Sequence, residues 1–525
     1  MKLLKRFKLV YVALFIPLIC AAIAQAQQVN IDSGNVEGKT DGDVRIFLGI
    51  PYAAPPMGEL RWRPPAPVAK WSGVRKSTEF GARCRQGPLF PDMVFRDPGP
   101  SEDCLTLNVW TAAKTVNAKL PVMVWIYGGG FNAGGTSEPR QDGEAFARQG
   151  VVLVSMNYRL GVFGFFATPE LITESGRNAA GNYGLLDQVA ALQWVQRNIV
   201  AFGGDPANVT IFGESAGSIS VSAQMASPLA KGLFAKAIGE SGGAFYSNAL
   251  PSVPLTERAQ SDQQFATDTL HATTLKELRA MPAEKLQELS FKAKLPNGNA
   301  RCMPNVDGYF LPEPAPAIFA AHKQNDVPLL AGWNKDEASF QVMMEPAAVA
   351  AVNLNILAKK EFGANSGEFL KWYLATSNEV AQRSAGDFAG DHFIAWSTWN
   401  WIEAQSSDGK QPVYRYRFDL APPATPKEPA ARGAYHSAEI EYVFGNLDLN
   451  KTRRWRAEDR ALSAQMQKYW INFAKSGDPN WAGLARWPAY QPSSGWEVMY
   501  LSAQPKAEKD DHRGRYLFLN SVWIK

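Results

Sequence analysis

Near-continuous apolar runs of strand length recur along the chain, separated by Gly-, Pro- and Asp-rich turns. Pro121–Tyr127, Val151–Asn157, Val209–Phe212 and Val327–Gly332 are the clearest. Runs of this kind predict strands covered on both faces, as in a parallel sheet. Gly184–Ile199 has the other period: Leu185, Leu186, Val189, Leu192, Val195 and Ile199 fall at helical spacing, and Ala201-Phe-Gly-Gly-Asp-Pro206 stops the pattern. Leu105–Trp110 and Pro412–Phe418 predict further strands, Val29–Glu37 and Val44–Tyr52 antiparallel edge strands, and Ala461–Ser476 a late helix. Strand, Gly-rich turn, strand, helix, strand and helix in that order predict an α/β fold, a mostly parallel sheet with helices on both faces. Thr256–Leu289 and the aromatic-rich Ala347–Trp401 read as helical insertions, the second as a cap over a site. No internal repeat or long linker divides the chain, so residues 27–525 are expected to form one domain with insertions at about 250–325 and 340–405.

The amino terminus changes the charge argument. Lys2, Lys5, Arg6 and Lys8 precede an apolar run, Leu9–Ile23, and Ala24-Gln25-Ala26 is a small-x-small cleavage site. Residues 1–26 therefore read as a cleaved signal peptide, and the mature chain as secreted or periplasmic. The leader carries four basic residues and no acidic one, so it accounts for the whole formal charge of +4. A balanced mature chain has no electrostatic attraction to nucleic acid or anionic membrane, and no stable membrane anchor is expected. Three cysteines remain. Cys84 and Cys104 flank a Pro-, Gly- and Asp-rich loop and make the candidate disulfide of an exported protein, while Cys302 is expected as a buried free thiol. No Cys/His spacing suggests a metal site, and no cofactor is implied.

The chemistry centres on Gly213-Glu214-Ser215-Ala216-Gly217, a G-x-S-x-G motif after the Val209–Phe212 strand. A strand that turns into a helix through one residue holds that serine in a strained conformation, exposed at the sheet end. A rival exists: Gly239-Glu240-Ser241-Gly242-Gly243 also follows a short apolar run. Residues able to continue a helix follow Ser215, whereas glycines, Asn248, Pro251 and Pro254 follow Ser241, so Ser215 is the candidate nucleophile. Ser241 is expected as a polar strand-end residue near the site, hydrogen-bonded to it. An oxyanion hole needs converging backbone N–H groups. Gly129 and Gly130, in the turn after Pro121–Tyr127, and Ala216 can supply them. Of five histidines, His436 follows a late strand, as the base of a Ser–acid–His order requires. The acid should follow Val327–Gly332, where Asp336 and Glu337 both qualify.

These residues, with longer flanking motifs, resemble the type-B carboxylesterase/lipase family, which includes the cholinesterases. Glu102-Asp-Cys-Leu-Thr-Leu-Asn-Val109, Phe202 through Ser218, Asn334-Lys-Asp-Glu337 and His436 through Glu441 resemble its signatures in the family's order, over nearly all of the mature chain. The resemblance implies an α/β-hydrolase fold, a triad of Ser215, Glu337 and His436, and oxyanion donors at Gly129, Gly130 and Ala216. It further implies a Cys84–Cys104 disulfide, structural ion pairs Arg61–Glu102 and Arg159–Asp187, and Glu214 close enough to raise the pKa of His436. Tyr127 stands where many members have histidine. The Cys84–Cys104 loop is shorter than in cholinesterases and lacks their tryptophan, which argues against choline esters. The expected activity is hydrolysis of a small-molecule carboxylic ester through an acyl-enzyme. The alternatives are a lipase on longer-chain acylglycerols and a non-catalytic cholinesterase-like binding protein.

Overall fold

The protein was analysed as a computed structural model that describes residues 28–245, 253–293, 303–338, 351–425 and 433–524. The expected leader, Cys302 and the first part of the 340–405 insertion lie outside the described residues.

The strands of one large sheet are, in chain order, β1 (Lys39–Asp41), β2 (Val44–Pro51), β3 (Thr106–Thr111), β4 (Leu120–Ile126), β5 (Val152–Met156), β6 (Gly204–Glu214), β7 (Lys236–Glu240), β8 (Leu329–Asn334), β9 (Val413–Phe418), β10 (Glu497–Leu501) and β11 (Lys506–Lys509). Across the sheet they run β11-β10-β9-β8-β7-β6-β4-β5-β3-β2-β1. From β5 to β10 every neighbouring pair is parallel, while β3, β2 and β1 at one edge and β11 at the other pair antiparallel. The continuous apolar runs have the expected cause: Pro121–Ile126 of β4 and all of β5 and β8 are buried, because helices cover both faces.

The helices that matter most are α1 (Tyr183–Asn198), α2 (Ala216–Ala226), α3 (Trp396–Asp408) and α4 (Ala457–Ser476). On α1, Leu185, Val189, Leu192 and Val195 are buried, as their spacing predicts. Further helices include Leu255–Asp268, Leu275–Ala280, Ala283–Lys292 and Ala315–Ala320 before β8, and Ala351–Phe362, Ser366–Trp372 and Asn378–Gly390 between β8 and α3.

The structure corrects two expectations. Val29–Glu37 is not one edge strand. Asp32-Ser33-Gly34 turns it into a hairpin, Gln28–Ile31 against Gly34–Glu37, which joins Val74–Lys76 in a separate small sheet. The strand before Ser215 is longer than its apolar stretch, running from Gly204 with a break in pairing before Val209. The polar part, Asp205–Asn208, lies at the solvent end, where β-pairing requires no apolar side chain.

Packing ties the late segments to the early strands. Trp125 of β4 meets Phe212 of β6 at 4.8 Å and Phe444 at 4.9 Å between ring centroids. Phe444 ends the short helix Ile440–Phe444, so this aromatic cluster anchors the segment just after His436 to the centre of the sheet. Two buried ion pairs pin the connections. Asp187 on α1 takes the Arg159 guanidinium through two side-chain hydrogen bonds of 2.7 and 2.8 Å, and accepts the Arg159 backbone N–H at 3.0 Å. Arg61 is held by Glu102 at 2.7 Å and donates to the carbonyls of Leu278 and Met281, joining the early chain to the first insertion. The Cys84–Cys104 disulfide closes a loop beside it. Removing one member of a buried pair strands the other charge, at a cost of about 3–5 kcal/mol. Asp187→Ala is therefore expected to lower the urea unfolding midpoint by an amount corresponding to that loss, as read by far-UV circular dichroism.

Candidate active site

β6 ends at Glu214 and α2 begins at Ala216, leaving Ser215 alone at the corner with φ 55° and ψ −121°. Few residues other than glycine take this conformation, so the corner must be held by its surroundings. Two contacts hold it. The Ser215 amide donates to the Glu240 carbonyl at 2.8 Å. Gly217 lets α2 lie against β4: a Cβ there would sit 1.9 Å from the Ile126 carbonyl oxygen. The corner pushes the Ser215 side chain out beyond the carboxyl ends of β4, β6 and β7.

His436 reaches the serine from the segment after β9. Its Nε2 lies 2.9 Å from Ser215 Oγ, and its Nδ1 lies 2.5 Å from Glu337 Oε2. A carboxylate only accepts, so Nδ1 carries the proton and Nε2 accepts from the serine hydroxyl. Of the two carboxylates after β8, Glu337 thus faces the histidine. Asp336 turns the other way, accepting the Ala434 amide at 2.8 Å and fixing the loop that carries His436. Glu337 is itself oriented from the other side. The Ser241 hydroxyl donates to Oε1 at 2.5 Å and the Asn334 amide at 2.8 Å. Ser241 is the serine of the second G-x-S-x-G motif, also at positive φ (56°), and it turns toward the acid rather than toward the histidine.

A second carboxylate meets the base. Glu214 Oε1 lies 3.2 Å from His436 Nε2 and has no other hydrogen-bond partner. Burial lowers the His436 pKa, but the negative charges of Glu214 and Glu337 outweigh it and hold the pKa above the ordinary histidine value. Burial pushes Glu214 up to about 7, against the opposing pull of His436 and Arg140. The turn after β4 presents Gly129 and Gly130 opposite the corner. Their backbone N–H groups, and that of Ala216, have no acceptor among the described residues. Buried N–H groups are rarely left unpaired, so these amides are free to take an acceptor from outside the chain.

Tyr127 and the other four histidines lie elsewhere. Tyr127 is buried with its ring stacked on Tyr158 at 4.6 Å. His392 packs edge-on against Trp523, and His271 and His322 sit at positive φ just beyond helix ends. His512, although it lies in the charged run Lys509–Arg513, is half-buried between Asp511 and Arg417, because the segment folds back over β9. Among the described residues one group, Asp510, Asp511 and His512, brings three potential metal ligands together, but Asp510 is bound to Arg415 and Asp511 to His512. Sequence reasoning missed Asn334 and Phe393. Asn334 closes β8 just before the acidic pair, and a polar residue ending an apolar strand was the available signal. Phe393, from the second insertion, packs edge-on against His436 at 5.0 Å, and nothing in its local pattern marks it.

Comparison with known proteins agrees with this geometry. The family model described as the carboxylesterase family matches residues 25–518. The chain belongs to this family of carboxylic ester hydrolases. It is 36% identical over 487 residues to fumonisin B1 esterase of Sphingopyxis macrogoltabida, covering 90% of this chain and 86% of that one. It is also 36% identical over 502 residues to para-nitrobenzyl esterase of Bacillus subtilis (92% and 96%), and 37% identical over 498 to liver carboxylesterase of Sus scrofa (88% and 86%). A solved structure of a PNB esterase superposes with a TM-score of 0.79 at 34% identity, over 94% of this chain and 99% of that chain. The large sheet with helices on both sides is thus the α/β-hydrolase fold. No helix among the described residues of this carboxylesterase is long and apolar enough to cross a membrane.

The Ser241–Glu337 hydrogen bond carries a prediction. A hydrogen bond to a charged group is worth about 1.5–3 kcal/mol. Ser241→Ala should therefore lower the urea midpoint by a corresponding amount and, by loosening Glu337, lower kcat/KM for a p-nitrophenyl ester about tenfold.

Proposed function

We propose that this carboxylesterase hydrolyses esters through an acyl-enzyme on Ser215, with His436 as the base and Glu337 as its orienting acid. The observation that carries this reading is the unbroken hydrogen-bond chain Ser215–His436–Glu337, ending on a strained corner beside three unspent backbone N–H groups. Ser215 Oγ attacks the ester carbonyl as His436 Nε2 takes its proton. The oxyanion is received by the amides of Gly129, Gly130 and Ala216. His436, now doubly protonated, gives its Nε2 proton to the leaving alcohol, and water repeats both steps to release the acid.

Glu214 enters at one stage of this cycle. While His436 is neutral, Glu214 Oε1 has no donor. Once Nε2 is protonated, the carboxylate 3.2 Å away is placed to stabilise the imidazolium. We also read residues 27–525 as one catalytic domain whose two helical insertions cap the site, exported after loss of residues 1–26. Phe393 against His436 and the Cys84–Cys104 disulfide support these two readings in turn. Small-molecule esters are the substrate class that the names of the relatives favour.

Two measurements test the site. Intact mass after treatment with a small fluorophosphonate should show one adduct, mapped to Ser215, and Ser215→Ala should lose both the adduct and about 10⁴- to 10⁶-fold in kcat; full activity in that variant removes the assignment. The second concerns pH. The base must be neutral to act, and neighbouring carboxylates favour its protonated form, so kcat/KM should fall on the acid side with a midpoint above the ordinary histidine value. Glu214→Gln removes one of those charges and should move that midpoint to lower pH.

A further inference from the structure

The second G-x-S-x-G motif contains a residue that the proposed cycle does not use. Glu240, before Ser241, is fully buried, and so is Glu439, three residues after His436. Each carboxyl has one oxygen occupied. Trp470 Nε1 of α4 donates to Glu240 Oε1 at 2.7 Å, and the Asn334 amide group donates to Glu439 Oε2. Glu240 Oε2 and Glu439 Oε1 are left with no hydrogen-bond partner.

The sheet register places these groups in one compartment. Glu214, Glu240, Gly332 and Tyr416 stand side by side on β6, β7, β8 and β9. Residues in register on parallel strands share a face. At position 332 the row has a gap that only glycine permits, since a Cβ there would lie 2.2 Å from the Tyr416 carbonyl oxygen and 2.5 Å from its ring. Two residues further along β8, on the same face, Asn334 holds Glu439. The Tyr416 hydroxyl is buried without a partner and supplies neither carboxyl with a donor. The charges that act on Glu240 are those of Glu439 and Glu214, and those that act on Glu439 are those of Glu214 and Glu337. Among the described residues, the cations facing the cluster are His436, on which Glu439 acts, and Arg140 beyond Glu214.

We propose that Glu240 and Glu439 share one proton, the Glu240 carboxylic acid donating through Oε2 to the Glu439 carboxylate at Oε1. Two ionised carboxylates cannot stand together in such a place without a cation, and a buried oxygen without a donor is costly. One proton satisfies both oxygens and removes one charge. Burial and the neighbouring carboxylates push Glu240 well above the carboxyl range, which makes it the holder of the proton. They raise Glu439 as well, and the hydrogen bond received from Glu240 is what favours its charged form.

Glu240 and Glu439 are positioning residues. Glu439 grips the side chain of Asn334, whose backbone N–H holds Glu337. Glu240 holds the Ser215 amide through its carbonyl, and Ser241 holds Glu337. The second motif thereby braces the corner, the acid and the segment carrying the base. The shared proton leaves one negative charge from the pair near His436 instead of two. Its effect on the base rests on the catalytic reading above; its existence does not.

The experiment is the infrared difference at pH 7 between wild type and Glu240→Gln, with Glu240→Met in its place if the amide variant does not fold. The proposal expects loss of a carboxylic-acid carbonyl band, and loss of an ionised carboxylate band instead overturns it. The pH dependence of kcat/KM gives a second readout. Glu240→Gln replaces a neutral group and should leave the acid-side midpoint in place. Glu439→Gln removes a charge and should lower it by about one pH unit. A comparable downward move in Glu240→Gln places the charge on Glu240 and overturns the assignment. If the fluorophosphonate does not label Ser215, the catalytic reading falls, while the infrared comparison still decides the proton.

Discussion

A single strained corner sets the geometry of this site. A serine at φ 55° and ψ −121° stores on the order of 1–3 kcal/mol that nothing local returns. It is held because a strand and a helix that pack against other elements meet there. The Ser215 amide is tied to β7, and Gly217 lets α2 close against β4. The strain is therefore distributed through the parallel centre of the sheet, where every neighbour is buried. The same constraint explains why the reacting groups lie at the carboxyl ends of the strands: only there does the chain leave the sheet with side chains free to converge.

Around that corner the electrostatics are one-sided. Glu214, Glu240, Glu337 and Glu439 are all buried, and His436, with Arg140 beyond Glu214, answers them with positive charge. Such a cluster stabilises an imidazolium more than an imidazole. In the proposed cycle that suits a base whose protonated form must persist while the oxyanion exists. The excess of carboxylates is tolerated because burial shifts some of them toward their neutral forms, so the cluster carries less charge than its composition suggests.

The helices between β8 and β9 contribute in ways that differ from the sheet. The sheet supplies rigid positions, as in the registered row from Glu214 to Tyr416. The segment before α3 supplies Phe393 against the imidazole, and α3 packs Trp401 over Gly239. Packing from outside the sheet thus limits the motion of a base that rides on a loop.

The amino-acid sequence by itself determined the parts whose cause is local. Continuous apolar runs gave β4, β5 and β8, helical spacing gave α1, and the G-x-S-x-G corner with its flanking helix singled out Ser215. Chain order pointed to His436. Local pattern failed where a turn was hidden in an alternating stretch, as at Asp32-Ser33-Gly34, and where a strand ran on beyond its apolar part, as at Gly204–Asn208. It left Asp336 and Glu337 open until family resemblance favoured the second. Only the tertiary structure separated the two, because one residue's difference along a loop sends one carboxylate to the His436 ring and the other to the Ala434 amide. The partners of Ser241 and the contact of Phe393 were likewise decided there. Each joins segments tens to hundreds of residues apart, and a hydrogen bond across that distance leaves no periodic trace in either segment.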